Sequence, residues 1–112
     1  DMGGITRFDG EVLRLALHSG MSPELRAFWE QNPVHPGRGS VTGRAALERR
    51  TIHVSDILAD PSYDYVAAHS ALQQGQVLTG YRAVLAAPML RDGALIGTIA
   101  VLKFFRHGRL GE

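Results

Sequence analysis

Two Asp-Gly pairs, each set between apolar runs, constrain this chain more than any other feature. Asp9-Gly10 lies between Ile5–Phe8 and Glu11–His18, and Asp92-Gly93 lies between Val84–Leu90 and Ala94–Phe104. Asp-Gly favours the positive backbone angles of a tight hairpin turn, so each pair predicts two adjacent antiparallel strands. After the first turn, Leu13, Leu15 and Leu17 alternate with Arg14, Ala16 and His18. That period of two predicts one buried and one wetter face. The run Leu95–Leu102 is apolar at odd and even positions alike. It reads as a central strand covered on both sides, by this chain or by partner segments.

Helices fall between the two hairpins. Ser22-Pro23-Glu24 combines a capping hydroxyl, a proline suited to the first turn and an acid at the positive end of the helix dipole. Leu25, Phe28 and Trp29 then share a helical face as core or interface residues, and Pro33 stops the run. A second helix is predicted over Ser40–Arg49, with Val41, Ala45 and Leu47 or its neighbours facing inward. Thr51–Val54 reads as a short strand with His53 pointing off its buried face. Asp60-Pro61 repeats the cap-then-proline pattern and opens a third helix to about Gln74, with Gly75 as its terminator. The order strand, strand, helix, helix, strand, helix, strand, strand predicts a single α+β domain, one antiparallel sheet with helices on its faces.

Composition narrows the functions open to such a domain. The 112 residues suit one globular unit, with 45% hydrophobic and 21% charged residues. A net charge of +1, with the cations scattered along the sequence, argues against nucleic-acid binding. The chain has no cysteine, which removes disulfides, thiolate metal sites and thiol catalysis. No apolar stretch approaches the roughly 20 residues of a membrane-spanning helix, and Asp1–Gly4 does not resemble a signal peptide. A cytoplasmic location is the resulting expectation. The ends, Asp1 and Arg109–Glu112, read like those of a segment of something longer.

Few residues point to chemistry on their own. The glycine-rich stretch Pro36–Arg44 lacks the Lys-Ser/Thr pair of a phosphate loop and misses the dinucleotide glycine spacing by one residue. It reads as a flexible approach to a helix, with the alternative that its N–H groups, Arg38 and Arg44 hold an anion. His18, His35, His53, His69 and His107 form no close pair at an established metal-ligand spacing. The serines lack a nucleophile elbow, and no two acids are placed locally for acid–base work, so no catalytic set is expected. Tyr63, Tyr65 and His69 fall in the third predicted helix, Asp56 follows a strand, and Arg82 opens another. These five are the candidate ligand-binding residues, polar groups able to orient a guest within apolar walls.

Three stretches together resemble the GAF domains of bacterial sensor kinases and cyclases. Pro36–Leu47 is similar to a helix of that family, and Thr51–Pro61 to the following strand with its D-x-x-x-D-P continuation. Tyr81–Leu90 followed by Asp92–Gly97 resembles the closing hairpin, R-x-x-L-x-x-P-M/L-x-x-x-G-x-x-I-G. The similarity runs from about residue 5 to 103. It implies a five- or six-stranded antiparallel sheet, with a pocket between one face and the segments from about 40 to 80. It further implies a non-covalent small-molecule ligand, an output domain such as a histidine kinase in the same chain, and a homodimer. The long terminal helices of the family are not found here and are expected to be truncated. Cyclic-nucleotide relatives carry an Asn-Lys pair, whereas Asn32 precedes Pro33 and the only lysine is Lys103. Bilin-attaching and methionine-sulfoxide-reducing relatives use cysteine. The resemblance thus implies a sensor without bilin or cyclic nucleotide, its ligand open. The alternative is an interaction or spacer module with a collapsed pocket.

Overall fold

The computed structural model describes residues 2–57 and 81–104. Its elements are β1 (Met2–Phe8), β2 (Leu13–Ser19), α1 (Pro23–Gln31), α2 (Val41–Glu48), β3 (Ile52–Val54), β4 (Tyr81–Arg91) and β5 (Ala94–Phe104). The strands form one sheet in the order β2-β1-β5-β4-β3, and every neighbouring pair is antiparallel. This is the α+β architecture expected from the two hairpins. The third predicted helix, over 60–74, lies outside the described residues.

The two Asp-Gly turns work differently. At the second, Arg91 pairs with Ala94 and both intervening residues have positive φ, 52° at Asp92 and 80° at Gly93. That is the twist a two-residue hairpin needs. At the first, Phe8 pairs with Leu13, leaving a longer loop that the Asp9 carboxylate holds. It accepts the backbone N–H groups of Glu11 and Val12 at 2.9 and 2.8 Å and the Arg14 Nε at 2.9 Å. These three donors stabilise the ionised form and hold the Asp9 pKa down at about 2.

Both described helices start as their capping residues dictate. Ser22 Oγ accepts from Leu25 N at 3.1 Å, and Ser40 Oγ accepts from Gly43 N at 2.9 Å. After α1, the Asn32 side chain donates to the Phe28 carbonyl before Pro33. Arg49 ends α2 in the left-handed conformation, its N–H on the Ala45 carbonyl, and its guanidinium reaches the Gly93 carbonyl in the β4–β5 turn. α2 therefore lies over β4 and β5, burying Val41, Ala45 and Ala46. Of the inward positions expected at Leu47 or its neighbours, Ala46 is the buried one and Leu47 is exposed. Adjacent helical residues point about 100° apart, so burying Ala46 against Leu13 and Val34 turns Leu47 outward.

The inner face of the sheet is read directly from its register. Met2, Leu102 and Val84 form one row across β1, β5 and β4, and Gly4, Ala100, Ala86 and Ile52 form the next. With Met21, Leu25, Phe28, Val41, Ala45 and Ile57 they make the main hydrophobic core. Each fully buried aliphatic chain in it contributes about 1.5–3 kcal/mol. Thr6 and Thr98 are also buried, and satisfy each other through a 2.6 Å hydroxyl contact.

The alternation expected for β2 breaks midway. Thr6 pairs with Leu15 but Ile5 pairs with Leu17, so Ala16 is an extra residue facing no partner. Such a bulge reverses the phase of every side chain beyond it. Leu13 is buried, whereas Leu17 is 65% exposed on the opposite face beside Ile5. That outer face carries Gly3, Val101, Leu85 and His53 in one row and Leu17, Ile5, Ile99 and Ala87 in the next. Leu85, Ile99 and Val101 all stand exposed. Of the two covers expected for β5, the described residues supply only the inner one.

Candidate functional site

Antiparallel pairing brings two of the five candidate site residues together. Val54 of β3 pairs with Val84 of β4. Beyond that pair, Asp56 follows the end of β3, and Arg82 sits near the start of β4 at the irregularity between Tyr81 and Ala83. The carboxylate and guanidinium meet as a two-pronged pair, Arg82 Nε to Asp56 Oδ1 at 2.7 Å and Nη2 to Oδ2 at 2.6 Å. A planar fork fits a carboxylate in this way, fixing orientation as well as charge. The hydrogen bonding of Arg82 to the Asp56 carboxylate holds the Arg82 pKa above its already high ordinary value. Both side chains keep roughly a third of their surface in solvent, at 32% for Arg82 and 29% for Asp56. The next residue, Ile57, is fully buried in the core, which anchors the corner.

Chemically, this arrangement is a fixed dipolar pair at the rim of an apolar layer. It can orient a polar guest, and it holds the strand ends on either side of segment 58–80. Tyr63, Tyr65 and His69 lie in that segment, outside the described residues. Among the described residues, no three of His, Asp and Glu gather as a metal site.

The glycine-rich approach to α2 is held by its own backbone. Gly37 N donates to the Gly43 carbonyl at 3.0 Å, and Arg44, buried within the helix, donates from Nε and Nη2 to the Arg38 carbonyl. Gly43 is required there, because a Cβ would lie 2.5 Å from the His35 carbonyl oxygen. Arg38 pairs with Glu48 at 2.7 Å. The Gly43 N–H that an anion would use is occupied by Ser40. These contacts favour a closed structural turn over an anion cradle.

Two further features lie outside the five candidate residues. One is the outer face, where Gly3, Ile5, Leu17, Ile99 and Val101 line a groove of about 260 Å³. A larger one of about 670 Å³ runs past Arg7, Phe8, Met89 and Ile96. The doubly apolar β5 run signalled this face; the bulge that adds Leu17 had no local signal. The other is Trp29, whose indole Nε1 is buried with no hydrogen-bond partner among the described residues.

The model of the GAF domain family matches residues 3–109. The chain belongs to the GAF family. No curated protein matches it. Among solved structures, this GAF domain is similar to the Aquifex GAF domain described as "A. Aeolicus nlh2 gaf domain in an inactive state". The two are 22% identical with a TM-score of 0.61, over 93% of this chain and 57% of that one. It is similar to a domain of a putative two-component sensor histidine kinase from Sinorhizobium meliloti 1021, at 19% identity, TM-score 0.65, and 99% and 68% coverage. It is also similar to a type II free methionine-R-sulfoxide reductase from Thermoplasma acidophilum, at 16% identity, TM-score 0.64, and 92% and 60% coverage. The GAF domain thus spans somewhat under two thirds of the first of these chains. At these identities the likeness concerns the fold. No described helix is long and apolar enough to cross a membrane.

Proposed function

We propose that this GAF domain is a non-catalytic sensor that binds a small molecule and reports it to an output domain of the same chain. One observation carries the reading: the two-pronged Asp56–Arg82 pair, beside the buried Ile57 and adjoining in sequence the segment that holds Tyr63, Tyr65 and His69. Polar groups fixed beside apolar walls are what a small-molecule site requires. The histidine-kinase relative supports a signalling context, and the cysteine-free sequence supports a binding role over a thiol-based reaction. A cytoplasmic setting and a homodimer belong to the same proposal.

The test is a thermal-shift screen against metabolites. A ligand at a hundredfold excess over its Kd stabilises the fold by about 2.7 kcal/mol. The shift should shrink in Asp56→Asn, which keeps the side-chain shape but removes the charge that holds Arg82. A screen in which nothing stabilises the wild type overturns the sensor reading.

The outer face favours a second reading, that the domain acts chiefly as an interaction module. Leu17, Leu85, Ile99 and Val101 together make a larger exposed apolar patch than scattered surface leucines would. Sedimentation of the wild type against Leu17→Ser with Val101→Ser separates the two. Self-association lost in the double variant, with no ligand found, supports the interaction module.

A further inference from the structure

We infer that the open groove beside Arg7 binds an apolar monocarboxylate, a small acid with a hydrocarbon body. The groove shares no residue with the Asp56–Arg82 pair, so this inference does not rest on the sensor reading above. Strand register builds it. Arg14, Arg7, Gly97 and Met89 make one row across β2, β1, β5 and β4. Gly97 contributes no side chain between Arg7 and Met89, and only the flexible Met89 end reaches over it. In the adjoining row stand Ile5 and Leu17, the latter sent to this face by the Ala16 bulge. With Phe8 and Ile96 these side chains line a space of about 670 Å³, inside the roughly 300–1,000 Å³ range of small-molecule sites. Arg7, Leu17 and Ile96 are all exposed, so a guest reaches the groove without unpacking the core.

Charge selects the guest. Arg7 and Arg14 lie directly opposite each other on paired strands, a placement that like charges disfavour. Asp9 neutralises Arg14 through their 2.9 Å ion pair. Arg7 has no hydrogen-bond or ion-pair partner among the described residues. Among those residues no acidic side chain lines the groove, and its other polar side chain, Thr6, is engaged with Thr98 at 2.6 Å. One positive charge is left over beside apolar walls. A carboxylate meets the planar guanidinium with two parallel hydrogen bonds, and the walls take the hydrocarbon. A second charged group on the guest would find no partner, which limits the class to monoacids.

The three methionines report the site. Met89 borders the groove, whereas Met2 and Met21 are buried in the main core on the inner face. The experiment titrates octanoate into protein carrying ¹³C-methyl methionine, with 1-octanol and octylammonium as controls and Met89→Leu to identify its signal. Octanoate at millimolar concentration should shift the Met89 methyl and leave the other two in place. Arg7→Gln, an exposed change that also removes the repulsion with Arg14, should fold and weaken octanoate binding about fivefold. Equal binding of octanol or octylammonium overturns the acid class. A shift at Met2 or Met21 alone overturns the groove as the site and places the ligand on the inner face, where the sensor reading needs it. A Met89 shift that grows with protein concentration in the absence of octanoate means that a second copy fills the groove, and overturns the inference. No Met89 shift at any millimolar octanoate concentration also overturns it, while the metabolite screen judges the sensor reading separately.

Discussion

Replacing Gly97 by alanine measures how closely β1 and β5 are joined. A Cβ built there would lie 2.1 Å from the Thr6 carbonyl oxygen and 2.9 Å from the Met89 methyl. The methionine end can swing away; the carbonyl is backbone and cannot. β1 must then retreat by roughly 1 Å, in an interior packed as densely as a crystal. That movement strains the neighbouring pair Thr6↔Thr98 and its buried contacts, Oγ1 to Oγ1 at 2.6 Å and Thr98 N to Thr6 Oγ1 at 3.1 Å. Overpacking costs about 1–3 kcal/mol, and one or two weakened hydrogen bonds add about 1 kcal/mol each. The expected loss is about 3–4 kcal/mol, a large share of the roughly 5–15 kcal/mol that holds a domain folded. At about 4–8 °C per kcal/mol, the melting temperature should fall by roughly 12–30 °C. Gly37→Ala is the control, because its Cβ would meet only the His35 carbonyl at an ordinary 3.9 Å. It should be neutral or gain up to about 1 kcal/mol from a stiffer unfolded chain. Thermal and urea unfolding followed by circular dichroism compare the two. If Gly97→Ala melts within a few degrees of Gly37→Ala, the reasoning from close strand approach is wrong.

Asp9 predicts an acid-sensitive turn. Its pKa falls from an ordinary 3.8 to about 2 on folding, so its contribution is complete above the unfolded value and is lost as pH falls from about 4 through about 2. Urea midpoints across that range should drop more for the wild type than for Asp9→Asn, and equal slopes would refute the assignment. Leu17→Ser, at a 65% exposed position, should change stability by less than about 0.5 kcal/mol while weakening retention on a hydrophobic column. A clear drop in its urea midpoint would mean that the Ala16 bulge does not turn Leu17 outward.

Much of the fold is legible because its signals are local. Ser22, Ser40, Asp9 and Asp92-Gly93 act within three or four residues of themselves, so their chemistry alone fixes helix starts and turns. What stays hidden depends on partners far along the chain. The alternating leucines of β2 look like one face until pairing with β1 inserts Ala16 and sends Leu17 to the other. Which of Leu47 and its neighbours turns inward depends on Leu13 and Val34, the distant residues that Ala46 packs against. For the candidate site, Asp56 and Arg82 were recognisable singly, but their pairing needed the Val54↔Val84 register. Trp29 reads as ordinary core from its helical spacing, since an unmet donor appears only once all its neighbours are placed.

The Ala16 bulge also governs what the rims of the sheet can do. A flat outer strand invites a foreign strand to add on, the first step toward fibrous aggregates. Here one rim is kinked at Ala16 and partly occupied by Val34, which exchanges both backbone hydrogen bonds with Leu13 at 2.7 and 3.1 Å. The opposite rim, β3, is only three residues long. Among the described residues neither rim offers a long, flat template, so the exposed apolar outer face is not matched by an edge open to pairing with further copies.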